Sequence, residues 1–191
     1  MTSSTKRTLL EAACRVIADQ GIERLRTHSV AEAAGCSKAL LHYHYGSRRE
    51  LVLAAFAYSD DRAVQFVGDR VASAESGLDA VRTILLAWAS DDGEMRRHWI
   101  VWAEMWRWST FDKELRALVV QRHTAFVRSL AEAITRGKLD GSVGVRVDVP
   151  QAAQRLAACS DSFGDQAVIG IMPPDEMRAA LAAAMAQELT R

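Results

Sequence analysis

Proline and cysteine are both scarce, at three each in 191 residues. So few prolines leave long stretches free to run as helix, because a proline in a helix interior removes a hydrogen bond and clashes with the preceding turn. Cys14, Cys36 and Cys159 are odd in number and widely dispersed, which speaks against a disulfide framework and for a reducing compartment. No apolar run reaches the roughly 18 residues of a membrane span, and the N-terminus lacks the apolar core of a secretory leader; the expected location is the cytoplasm. Net charge is absent too, 24 Lys and Arg balancing 24 Asp and Glu. Catalytic signatures are missing. A di-iron bundle needs two Glu-x-x-His motifs, and the nearest spacing, Glu94 to His98, is one residue too long. No nucleophile elbow or phosphate loop is found. Neither an enzyme nor a metal or cofactor is expected.

What is present points to an all-α protein: 49% apolar residues and recurrent Ala-Leu-Arg-Glu patterns. The expected helices, about nine, include Thr5 to Gln20, a long one over residues 47–74, and others near 77–90, 94–109, 112–137, 149–169 and 174–190. Gly21 is a helix stop, Ser76, Asp112 and Asp148 are candidate caps, Pro174 suits a first helical turn, and the glycine-rich stretch Gly137 to Gly144 reads as a loop. Charge is unevenly spread. Residues 1–58 hold eight Lys or Arg against five Asp or Glu, a surplus of three, and the rest hold 16 against 19, a deficit of three. A mildly basic head on an acidic body fits a protein that meets nucleic acid at one end.

Residues 27–51 carry the sharpest local signal: two short helices either side of Gly35, the second with Lys38, His42, Tyr43 and His44 on its outer side. Ser29 with Glu32 and Ser47 with Glu50 are both spaced as capping boxes, and Ser37 is placed as an N-cap. Gly35 suits a left-handed turn. Val30, Ala33, Ala34, Leu40 and Leu41 are expected to pack inward, with Cys36 as a small hydrophobe at the crossing. Lys38, His42 and Tyr45 then share one face, with donors that reach phosphates or base edges. The competing reading is a helical hairpin with solvated polar residues. A metal site at His42 and His44 is disfavoured, since residues two apart on a helix diverge by roughly 200°.

Residues 5–51 resemble the DNA-binding domain of the TetR family of bacterial repressors, most specifically over Gly35 to Leu51. The resemblance implies a three-helix helix-turn-helix domain, taken here as residues 1–50, followed by an effector-binding and dimerisation domain over 51–191. It also implies that Lys38 and Ala39 approach base edges while Thr27, Ser37, His42, Tyr43, His44 and Arg48 hold phosphates. The chain departs from the usual pattern at His42, where tyrosine is common, at Leu40, often small and polar, and at Ala39, frequently glycine.

A second feature is the aromatic stretch His98 to Trp108, which holds four of the five tryptophans. Met95, His98, Trp99, Trp102, Met105 and Trp106 share one helical face, with Glu104 and Trp108 nearly opposite. Such a face is either ordinary core or the wall of an effector pocket, completed in the second case by Trp88, His123 and Phe126. The run from Trp99 to Leu118 is similar, more loosely, to the TetR subgroup typified by the choline-responsive repressor of betaine synthesis. Tryptophan faces hold quaternary ammonium groups, and they suit neutral hydrophobic molecules equally well.

The last two helices carry apolar stripes: Leu156, Phe163 and Ala167, then Met177, Leu181 and Met185. These close the subunit's own core or, as the resemblance implies, pair with their copies in a four-helix dimer interface. The expectation is therefore a homodimeric repressor that binds a palindromic DNA operator and is released by a small-molecule effector. The alternative is a helical adaptor that docks a protein partner on its tryptophan-rich face.

Overall fold

The structure, a computed structural model, describes residues 2–87 and 93–190. Among these the chain forms nine α-helices, one short 3-10 turn and no strand, as an all-α reading requires. In order they are α1 (Thr2–Gln20), the 3-10 turn Ile22–Arg24, α2 (Thr27–Ala33), α3 (Lys38–His44), α4 (Arg48–Val71), α5 (Gly77–Ala87), α6 (Gly93–Ser109), α7 (Lys113–Asp140), α8 (Val149–Val168) and α9 (Pro174–Leu189). No helix among the described residues is long and apolar enough to cross a membrane.

Local chemistry sets most boundaries. Gly21, at φ +78°, ends α1 in a conformation side chains rarely adopt. Caps open the later helices: Ser76 Oγ accepts from the N–H of Asp79 at 3.1 Å, Asp112 Oδ1 from Leu115 at 3.0 Å and Asp148 Oδ1 from Gln151 at 3.2 Å. Pro174 occupies the first turn of α9. Two sequence expectations fail. Ser29 forms no capping box, because α2 starts two residues earlier at Thr27 and Ser29 is already inside it. Gly137 is helical rather than in a loop: α7 runs on to Asp140, and a Cβ on Gly77 would lie 1.9 Å from the Gly137 nitrogen. The missing side chain of Gly77 serves the close approach of α5 to α7, and that of Gly137 makes room for Val143, whose Cγ2 lies 2.4 Å from where a Cβ on Gly137 would sit.

The chain divides into two compact units. One comprises residues 1–63 with 100–119, the other 64–99 with 120–191. Buried in the first are Leu9, Ile17, Ile22, Leu25, Val30, Leu41, Leu51, Phe56, Met105 and Leu115. In the second, Val81, Leu85, Leu130, Ile134, Leu156, Met185 and Leu189 belong to one apolar cluster. There the α5 start is tied to the α7 end, Asp140 accepting from the N–H of Gly77 at 2.7 Å.

Candidate nucleic-acid interface and aromatic site

Gly35, at φ +64°, turns the chain out of α2, and the Cys36 N–H returns to the Ala31 carbonyl at 2.9 Å. Ser37 then caps α3, its Oγ accepting from the N–H of Leu40 at 3.1 Å. Leu41 is fully buried and Tyr45 nearly so, and together they fix α3 by one side. Lys38, Ala39, His42 and Tyr43 are exposed, His44 is half-buried, and the Tyr43 and His44 rings meet edge to face at 5.1 Å. Thr27, the first residue of α2, is half-buried, and Ser37 is exposed. Two sequence expectations change here. Tyr45 turns inward at the extended end of α3 instead of sharing the outer face. Leu40 is 37% exposed rather than in the core, adding an apolar member to that outer surface, while Ala33 is also exposed. The departure at Leu40 from the family pattern was the signal available for it.

Arg48 differs most from its expected role. Its Nε donates to the Leu25 carbonyl at 2.9 Å and its Nη2 to the Ile22 carbonyl, while the guanidinium lies 5.3 Å from the centre of the Trp108 ring. A guanidinium so engaged stitches the 3-10 turn to α4 and cannot also grip a phosphate with the same donors. Burial, with Arg26 close by, lowers its basicity. Next to it, Ser47 Oγ accepts from the N–H of Glu50 at 3.1 Å, and the Glu50 carboxylate accepts from Gly46 at 2.9 Å. The box predicted at this helix start therefore forms, with its return bond one residue earlier than the standard pattern.

Three further ties join the head to α6 and the start of α7 within the same unit. Glu104 accepts from the N–H of Ile22 at 2.7 Å. Arg107 lies 3.7 Å from both Glu23 and Glu104. Arg49 forks onto Asp112 and also donates to Glu114 at 2.9 Å. The fork holds the Asp112 carboxyl down to about 2. None of these pairings was foreseen; the one signal was that Glu104 and Trp108 lie opposite the other tryptophans.

The aromatic residues are distributed over both units. In the first, Trp102 and Met105 are buried, Trp102 lies 5.5 Å from the Phe56 ring and 5.9 Å from Trp106, and Trp106 is 45% exposed. In the second, Met95 and Trp99 are buried and Trp99 packs on the α8 backbone, where a Cβ on Gly164 would come within 1.8 Å of its ring. His123 lies 6.4 Å from the Phe126 ring and 3.5 Å from Asp161. Trp88 lies outside the described residues. With Trp99 and Trp102 buried, the α6 face is no continuous docking surface of the kind an adaptor needs.

Of the residues assigned to a dimer interface, Leu156, Met177, Leu181 and Met185 are buried within their own chain. This corrects the sequence reading: four interior side chains cannot meet a second copy, and only the half-buried Phe163 and Ala167 retain surface.

Two family models match the chain: that of bacterial regulatory proteins of the tetR family over residues 9–55, and that of the BetI-type transcriptional repressor C-terminal part over residues 77–190. The chain is 41% identical over 49 residues to the HTH-type transcriptional regulator BetI of Rhizobium meliloti (strain 1021), a stretch covering 26% of this chain and 24% of that protein. The match thus spans about a quarter of that relative's length. Two solved structures are similar over almost the whole chain. A transcriptional regulator from Saccharomonospora viridis in complex with choline is 26% identical, with a TM-score of 0.90 over 99% of each chain. A TetR-family regulator from Rhodococcus sp. is 26% identical, with a TM-score of 0.87 over 98% of this chain and 100% of that one.

Proposed function

Because the chain belongs to the TetR family of bacterial regulatory proteins, with a C-terminal part of the BetI type, we propose that it is a homodimeric, ligand-responsive repressor of the cytoplasm. It binds a palindromic operator and leaves it when a small molecule enters the C-terminal part. The observation that carries this reading is α3, pinned inward by Leu41 and Tyr45 while Lys38, Ala39, His42 and Tyr43 stand exposed. A short helix held by one edge, with donors along the other, is what a major groove admits.

In this reading Lys38 and Ala39 meet base edges, and Leu40 offers an apolar contact of the kind a thymine methyl accepts. Thr27, His42, Tyr43 and His44 hold phosphates. Ser37 does so as well, since its Oγ accepts from the Leu40 N–H and keeps its own proton to donate. Arg48 is left out, being engaged within the fold. Two copies pair through the outward sides of α8 and α9, where Phe163 and Ala167 join the exposed Ala158, Ala179, Ala182 and Ala183. A two-fold axis there presents two α3 helices to successive half-sites.

The effector is a quaternary ammonium compound. Support comes from the tryptophan-rich α6 and from the choline-bound neighbour from Saccharomonospora viridis. Because α4 and α6 each begin in one unit and end in the other, a ligand that favours one arrangement of the C-terminal part can shift α3 relative to the groove. It does so only through differential affinity for the two states. A gel-shift titration with the DNA flanking the chain's own gene tests this: a specific, salt-sensitive complex that choline dissolves is expected. Absence of any specific complex removes the repressor reading.

A further inference from the structure

Helix α8 places Ser160, Asp161, Gly164 and Asp165 on neighbouring positions of one side, at spacings of one, four and five residues. The indole of Trp99 lies against this side at Gly164, so close that a Cβ there would overlap the ring. From α7, His123 sets its Nδ1 3.5 Å from the Asp161 carboxylate, with the Phe126 ring 6.4 Å beyond. Ser160, one turn before Gly164, is fully buried, and its Oγ has no hydrogen-bond partner among the described residues.

This corner has an electrostatic gap. Among the described residues no lysine or arginine pairs with Asp161; its polar neighbours are His123 and a second carboxylate, Asp165. Burial and Asp165 push the Asp161 carboxyl up to about 7, and burial pushes the His123 imidazole down. Both groups are thus driven toward their neutral forms, as unmatched buried charge requires. A permanent cation would supply the missing positive charge, and the adjacent rings would hold its methyl groups by cation–π attraction. A neutral molecule of the same shape would gain the ring contacts alone.

We propose that Asp161 is the anionic determinant through which this chain selects a quaternary ammonium over a neutral molecule of equal shape, with His123 positioning its carboxylate and Trp99 and Phe126 furnishing the rings. The proposal rests on the effector reading above and adds the charge-bearing residue to it.

Calorimetric titration of the full chain at pH 8 with choline and with 3,3-dimethylbutan-1-ol, the same shape with carbon in place of nitrogen, tests it. The expected result is that choline binds the unaltered chain roughly tenfold or more tightly than the alcohol, a difference of ~1.4 kcal/mol. Asp161→Asn should bring the two within about twofold, the loss falling on choline, and Asp161→Glu should keep most of the preference. A thermal melt of each variant reports its folding, and the two-ligand comparison on the unaltered chain stands without them. No preference in the unaltered chain, an unchanged preference in Asp161→Asn, or equal losses for both ligands overturns the proposal. Release from operator DNA is scored separately by gel shift: choline that binds with the expected preference but leaves the complex intact counts against the repressor mechanism and not against Asp161.

Discussion

Helix α3 and the first turn of α4 are three residues apart and both carry basic side chains, yet the structure uses them in opposite ways. Lys38, His42 and Tyr43 on α3 stand free of the fold, Tyr43 being 78% exposed. Arg48 and Arg49 are committed to partners within the chain, Arg48 to two carbonyls and an indole, Arg49 to Asp112 and Glu114. Positive charge near a helix-turn-helix is therefore a poor guide to which side chains stand free of the fold. The deciding partners lie more than 20 residues away for Arg48 and more than 60 for Arg49.

That contrast can be broken by substitution. Arg48→Ala carries the largest expected effect, a loss of roughly 2 to 4 kcal/mol in unfolding free energy from two charge-assisted bonds and a cation–π contact. Urea titration measures it; unchanged stability with a shallower salt dependence of DNA binding would return Arg48 to the phosphate-holding group. Lys38→Ala should do the reverse, costing roughly 1 to 3 kcal/mol of discrimination between operator and mutated operator while the melting temperature stays put. Competition gel shifts against single-base operator variants would reveal a relaxed position, and a uniform loss at every position would make Lys38 a phosphate contact instead. Tyr43→Phe removes one exposed hydroxyl and should weaken all DNA sequences alike by about 1 kcal/mol, again without touching stability. An effect confined to one sequence would place Tyr43 among the base readers.

The smallest expected effect concerns Arg49. Asp112 titrates at about 2 in the fold against an ordinary 3.8, mainly because Arg49 donates to it. A depressed carboxylate stabilises the native state above its unfolded value, and that contribution disappears as pH falls from 3.8 through 2. Arg49→Ala should therefore lower the melting temperature slightly at neutral pH and low salt, and flatten the acid limb of the stability curve. Because this ion pair is solvent-exposed, added salt should erase most of the difference. An acid limb identical in both proteins would show that Asp112 draws its stabilisation from its backbone bonds alone.

The same division between local and distant causes explains how much was legible in the sequence. Helices were readable where one residue settles the matter nearby: Gly21 as a stop, Ser37 and Asp148 as caps, Pro174 as a first-turn residue. Gly35 and the exposed donors of α3 were readable for the same reason. Gly137 was misread because glycine serves both turns and close packing, and only the placing of the Val143 side chain against it in the fold tells which. The stripe of Leu156, Met177, Leu181 and Met185 has the same periodicity whether it faces its own core or a second copy. Burial within the chain decides it. Glu104 was visible as the odd acid among tryptophans, but its role depends on the Ile22 N–H, 82 residues away in sequence.

The crowding of four of the five tryptophans onto α6 has a spectroscopic consequence. Four of the indoles that can emit sit along one helix in different surroundings: Trp99 against α8, Trp102 beside Phe56, Trp106 partly exposed and Trp108 beneath a guanidinium. Buried indoles emit to the blue of exposed ones, so variants retaining a single tryptophan would resolve four positions along α6 without any attached dye. The helix carries its own set of optical reporters, spaced from the C-terminal part to the edge of the DNA-reading head.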